Sequence, residues 1–253
     1  LNWRRSFLEH PHTWTTYEPV SWICVSSSRM NFIRRGFNIS VPERPDNINT
    51  ENEVNSLDLA ITYCSCMEDV KSRLSIVKSV AKGQLSTGNE LFNYELVSVH
   101  LRKSLELIAF ASMTANKEIY QEAHSGFANH WKAKEMLTSL RRLHPGFYPQ
   151  PIKLDHVKSS GAKHFERVEG GYLTQYDFVT LYDLCSEVLH TWNPFTKKER
   201  HIDFKLSVAE WTQRIERLLQ LHLIQFVDRP EIWVVDMAHS TDGKVHAFKA
   251  APS

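Results

Sequence analysis

Residues Leu91 to Ala115, LFNYELVSVHLRKSLELIAFASMTA, run without a proline or glycine, and their apolar spacing demands a long helix with neighbours on two sides. At ~100° of turn per residue, Leu91, Tyr94, Val97, Leu101, Leu105, Ile108, Ala109 and Ser112 fall in one arc, while Phe92, Leu96, Val99, Leu107 and Phe110 fall in a second. One seam between the arcs carries Asn93, His100 and Lys103, an ordinary wet edge. The other carries Glu95, Ser98, Arg102 and Glu106, with Arg102 one turn before Glu106 and about two turns after Glu95. A guanidinium between two carboxylates, hemmed by apolar surface, is the most unusual polar feature of the chain.

The flanking sequence supplies the neighbours. From Thr50 to Lys82, Val54, Leu57, Ile61, Cys64, Met67, Val70, Leu74, Val77 and Ala81 repeat in steps of three and four, and Thr50 with Glu53 matches a capping box. Gly83 and Gly88 bracket a turn, so this helix is expected to run antiparallel to the central one. A third helical region spans Asn116 to Leu143 and ends at the proline-rich stretch His144 to Pro151. Lys153 to Gly171 shows no period and reads as a loop. Thr174 with Asp177 and Ser207 with Glu210 open two further helices as capping boxes. Leu223–Asp228, Ile232–Ala238 and Val245–Lys249 read as short strands. The expected fold is mainly α: an antiparallel bundle of about five helices over residues 50–222, with a small three-stranded antiparallel β-meander over 223–253 packed on it. Residues 1–49 read as a poorly ordered arm and linker, of which 1–29, with Trp3, Trp14 and Trp22 and no sustained period, also fit an over-extended gene start.

Composition narrows the function classes. With 253 residues and 42% hydrophobic content the chain can bury a sizeable core, and a net charge of +1 encodes no global attraction to nucleic acid or membrane. The longest apolar run, Leu105 to Met113, carries Glu106 and is too short to cross a bilayer. Cys24, Cys64, Cys66 and Cys185 form no CxxC pair, and Cys64 and Cys66 on a helix point about 160° apart, so reduced thiols in a cytoplasmic protein are expected. There is no phosphate-binding glycine loop, HExxH or GxSxG, and no metal-ligand spacing among the 13 histidines, so neither a cofactor nor a metal is expected.

Two segments carry a resemblance to a known family. Leu101-Arg-Lys-Ser-Leu-Glu-Leu-Ile108 is similar to the LRxxLE-type helix of the HEPN superfamily, small helical domains of toxin, antiphage and RNA-processing systems, and Leu189-His-Thr-Trp-Asn-Pro-Phe195 places a histidine at the close of a later helix. The ribonucleases of that family use arginine, four to six residues, then histidine. The helix ending at His190 departs from this, having Asp183, Ser186 and Glu187 upstream. The spacing occurs instead at Arg217 to His222 and at Arg5 to His10.

From these residues we expect a helical module that recognises a partner protein or RNA without catalysis, which the resemblance connects with defence or toxin–antitoxin systems. The rival is a metal-independent endoribonuclease, in which His190 or His222 and Arg102 or Arg217 polarise the 2′-hydroxyl and scissile phosphate. Arg102 with Glu95 and Glu106 reads first as a partly buried ion-pair clasp that fixes helix register; in the alternative the stripe faces a cleft shared with His190, where Glu95 and Glu106 would flank an anion bound by Arg102. Trp131, Lys132, Lys134, Arg141 and Arg142 form a basic, aromatic helix end, and Trp192 with Asn193 lies beside His190, so these residues form the candidate RNA-binding surface. A homodimer is left open.

Overall fold

A computed structural model describes residues 13–15, 23–24, 47–116, 133–144, 146–159, 163–191, 193, 195, 202–225 and 232–250. The chain is mainly α-helical. Among the described residues there are five helices, α1 (Asn47–Ala81), α2 (Glu90–Ala115), α3 (Ala133–Leu143), α4 (Gln175–Leu189) and α5 (Val208–Leu219). Seven strands accompany them: β1 (Thr13–Thr15), β2 (Ile23–Cys24), β3 (Gln150–Val157), β4 (Lys163–Arg167), β5 (Leu221–Gln225), β6 (Ile232–Asp236) and β7 (His246–Ala250).

The central helix forms where its spacing predicts. The Asn89 side chain caps α2 by accepting from the Leu91 N–H at 2.9 Å. Gly83 and Gly88, with φ of +69° and +81°, turn the chain between α1 and α2. Val97, Leu101, Leu105, Ile108 and Ala109 of the first arc are buried, each large side chain contributing about 1.5–3 kcal/mol. The second arc is only partly covered, and Phe92 is 52% exposed.

On α1, Cys64, Met67, Val70, Leu74 and Val77 are buried as expected, but Ile61 is exposed while Ala60 and Tyr63 turn inward. The expected cap at Thr50 is also corrected, because α1 begins at Asn47 and Thr50 lies inside it. Of the third helical region, residues 133–143 are helical and 117–132 lie outside the described residues. Both later capping boxes form, Thr174 with Asp177 opening α4 and Ser207 with Glu210 opening α5.

The larger correction concerns the sheet. The carboxy-terminal meander β5–β6–β7 is present, but it belongs to an antiparallel sheet ordered β1-β4-β3-β5-β6-β7-β2. Residues read as a loop supply β3 and β4, a hairpin that pairs through β3 with β5. Two short segments of the amino-terminal stretch sit at its edges, β1 on β4 and β2 on β7. One hydrophobic cluster spans both layers, joining Met67, Leu101, Leu105, Phe178, Trp211 and Leu218 of the helices to Ile224, Trp233, Val235 and Ala247 of the strands.

Gly171 shows how the loop before α4 fits against α5. Its φ is +74°, and a Cβ built there would stand 3.2 Å from the Arg217 guanidinium. Gly171→Ala is expected to lower stability by about 1–2 kcal/mol, read as a lower urea midpoint. Gly170→Ala is the control, since open space surrounds its Cβ position. Equal midpoints for the two variants would refute the argument.

Candidate functional site

Arg102 and Glu106 are one turn apart on α2, and Tyr182 reaches them from α4. The Thr174 capping box fixes where α4 starts, and Phe178, Leu181, Tyr182, Cys185 and Val188 then form its buried stripe. Arg102 Nε donates to Glu106 Oε1 at 3.1 Å and its terminal nitrogen donates to the Tyr182 hydroxyl at 3.1 Å. That hydroxyl donates to Glu106 Oε1 at 3.4 Å, and the guanidinium carbon lies 4.9 Å from the Tyr182 ring centroid. Burial on its own would lower the Arg102 pKa, but the bonds to Glu106 and Tyr182 outweigh it and raise it. The three side chains form a closed circuit tying α2 to α4. Glu95 is half-buried about two turns earlier on α2.

The circuit is wet at its rim, since the Arg102 and Glu106 side chains are 34% and 24% exposed. Pairs of that exposure are worth ~1 kcal/mol or less. Arg102→Ala is accordingly expected to shift thermal unfolding only slightly, whereas a loss of several kcal/mol would mean that α2 and α4 depend on a sealed ion network.

The remaining candidate catalytic residues stand apart. His190 is exposed and ends α4, its backbone N–H donating to Ser186 O at 3.1 Å. It is eight residues beyond Tyr182, or ~12 Å along the helix axis. Arg217 and His222, five positions apart in sequence, differ in burial. Arg217 is exposed on α5, whereas His222 is fully buried in β5. His222 Nδ1 can only donate to its partner Leu219 O, at 2.7 Å, so Nε2 is the acceptor for the Tyr63 hydroxyl at 2.8 Å. Burial pushes the pKa of this imidazole down to about 4. With both nitrogens engaged inside the core, His222 is a neutral strut between α1 and β5.

The basic residues divide similarly. Lys134 is bound to both oxygens of Asp183, at 2.8 and 2.9 Å. Arg141 and Arg142 are exposed in the last turn of α3. The Asn193 side chain accepts from the Phe195 N–H at 3.0 Å and shapes its own loop. Trp131, Lys132 and Trp192 lie outside the described residues.

Sequence reading missed two histidine clusters. His156 and His164 face each other across β3 and β4, their rings stacked 4.4 Å apart, with His156 Nδ1 2.6 Å from Asp155 Oδ2. At the head of β7, His239 stacks on His246 at 4.6 Å, and His246 Nε2 lies 3.0 Å from Asp242 Oδ1. From α1, Lys71 Nζ donates to the Met237 and Gly243 carbonyls at 3.0 and 2.7 Å, and Glu68 accepts from the Val245 N–H at 2.6 Å. Strand pairing and a long connection bring these groups together, which no local spacing signals. Among the described residues no group of three or more His, Cys, Asp or Glu is arranged to hold a metal ion, and no helix is long and apolar enough to cross a membrane. Comparison with protein-family models, curated proteins and solved structures gives no match.

Proposed function

We propose that this chain is a cytoplasmic recognition module of HEPN-like character, which binds a partner protein or RNA without cleaving it and serves a defence or toxin–antitoxin system. One observation carries the preference for recognition over catalysis: the four candidate catalytic side chains are dispersed. Arg102 is engaged with Glu106 and Tyr182, His190 ends α4 about two turns further on, His222 is sealed in the core and Arg217 lies on the surface. Acid–base cleavage of RNA needs such groups within hydrogen-bond reach of one phosphate. Recognition needs only an accessible surface, for which Arg141 and Arg142 are the exposed basic pair, able to meet phosphates or a partner's carboxylates.

The test is to incubate purified protein with total RNA in EDTA, following both RNA length and retention on a filter. Intact RNA is expected. Retention that falls in the Arg141→Ala, Arg142→Ala double variant would identify the ligand as RNA, and intact RNA without retention directs the search to a protein partner. Cleavage that survives EDTA and disappears in His190→Ala would replace this reading with the endoribonuclease.

A further inference from the structure

One wet edge of the α1–α2 hairpin gathers three basic side chains. Arg73 stands eight positions before Ala81, where α1 ends, and His100 ten positions after Glu90, where α2 begins. At about 1.5 Å of rise per residue both lie roughly 12–15 Å from the turn at Gly83 and Gly88, so the antiparallel hairpin sets them at one level. Lys103 follows His100 by three positions and shares its side of α2.

No carboxylate balances them. Arg102 and Arg214, half-buried on their helices like Arg73, are each bonded to a carboxylate, Glu106 at 3.1 Å and Asp177 at 2.9 Å. Arg73 forms no such pair among the described residues, although Asp69 lies one turn before it on α1, and its Nε is buried without a hydrogen-bond partner. His100 Nδ1 is buried without a partner as well. Burial lowers the His100 pKa, and the Arg73 and Lys103 charges lower it further. Half-burying a guanidinium beside a second cation with nothing to offset it costs stability, so packing gives no reason for the arrangement.

We propose that Arg73, His100 and Lys103 form a binding site for a phosphate dianion, either free or at the end of a small ester. The unpartnered Nε and Nδ1 atoms are the enclosed ones, which leaves the terminal guanidinium nitrogens and His100 Nε2 toward the open edge, where the exposed Lys103 ammonium completes the set. The guanidinium fork can donate two parallel N–H bonds to two phosphate oxygens, and the ammonium adds a point charge. Two permanent cations match a terminal phosphate, at about −1.5 to −2 near neutral pH, and exceed the single charge of an internal RNA phosphodiester. A bound dianion favours the imidazolium and raises the His100 pKa, so by linkage affinity rises as pH falls through that pKa while the phosphate stays doubly ionised. The site shares no residue with the Arg141 and Arg142 pair and does not rest on the recognition of a protein or RNA partner.

The test is calorimetry and histidine-ring NMR on the full chain above pH 7, where phosphate is doubly ionised, with inorganic phosphate and adenosine monophosphate as probes. Saturable binding is expected, with a Kd about tenfold or more higher in Arg73→Gln and in Lys103→Gln and unchanged in the Arg141→Ala, Arg142→Ala double variant. The resonance that is missing in His100→Gln should show its pKa moved upward by either probe. Equal affinities identify free phosphate as the ligand, and tighter nucleotide binding identifies an ester. Lys103 is exposed, so its variant tests the site even where Arg73→Gln unfolds. Absence of saturable binding, Kd values that neither variant changes, an unmoved His100 pKa, or tighter binding of a uridine oligonucleotide carrying only internal diesters would overturn the proposal.

Discussion

Acidification from pH 7 to pH 4 is expected to remove about 3 kcal/mol of stability through His222 alone. The folded pKa is about 4, whereas an imidazole in the unfolded chain titrates near 6.5. Between these values the unfolded state binds the proton and the folded state does not, so stability rises with pH across that window. The contribution is complete above ~6.5, falls as pH drops, and is exhausted below ~4. Urea unfolding of wild type and His222→Phe at several pH values isolates it, because titrations elsewhere cancel in the difference. The variant should lose ~1–3 kcal/mol at pH 7, where the Tyr63 hydroxyl lacks its acceptor, and should lie closer to wild type as pH falls. A difference that stays constant between pH 7 and pH 4 would mean that His222 is charged in the folded state.

Trp211→Ala should cost about 3–5 kcal/mol, the range for emptying a large aromatic site in a core. Trp211 is 2% exposed on the buried side of α5, and its indole N–H donates to the Phe204 carbonyl at 2.8 Å. That bond ties the segment before α5 to the helix, and Arg214 stacks on the same ring at 5.7 Å. Trp211→Phe separates the contributions, since it retains most of the volume and removes the indole hydrogen bond, worth ~0.5–1.5 kcal/mol, while the Phe204 carbonyl still accepts from the Leu206 N–H at 2.7 Å. Gln213→Ala, on the exposed side of α5, should stay within ~0.5 kcal/mol of wild type. Similar melting temperatures for wild type and Trp211→Ala would show that this part of the core repacks.

The helices were legible because their cause is local. Leu101, Leu105 and Ile108 recur at the helical period, and Ser207 with Glu210 carries its own start signal. The β3–β4 hairpin was not legible. Beyond Ile152, β3 is exposed on both sides, so Lys153, Leu154, Asp155 and His156 show no apolar–polar alternation. The Arg102 stripe was placed correctly on α2, but its second partner is Tyr182, 80 positions along the chain. A buried tyrosine needs a hydrogen bond, and that requirement on α4 was the available clue. The Arg217–His222 pair straddles a boundary that local pattern does not mark: α5 ends at Leu219 and β5 begins at Leu221, so no helical turn spans it.

The edges of the sheet also constrain the order in which the molecule can assemble. β2 at residues 23–24 must find β7 at residues 246–250, so that ladder closes across all five described helices. The α1–α2 hairpin can close during synthesis as soon as both helices have emerged, but the β2–β7 pair waits for residues 246–250 to leave the ribosome. Loop-closure entropy delays such distant pairings further. Until β7 has emerged, β6 lacks its strand neighbour on that side, and an unpaired strand edge of that kind favours aggregation.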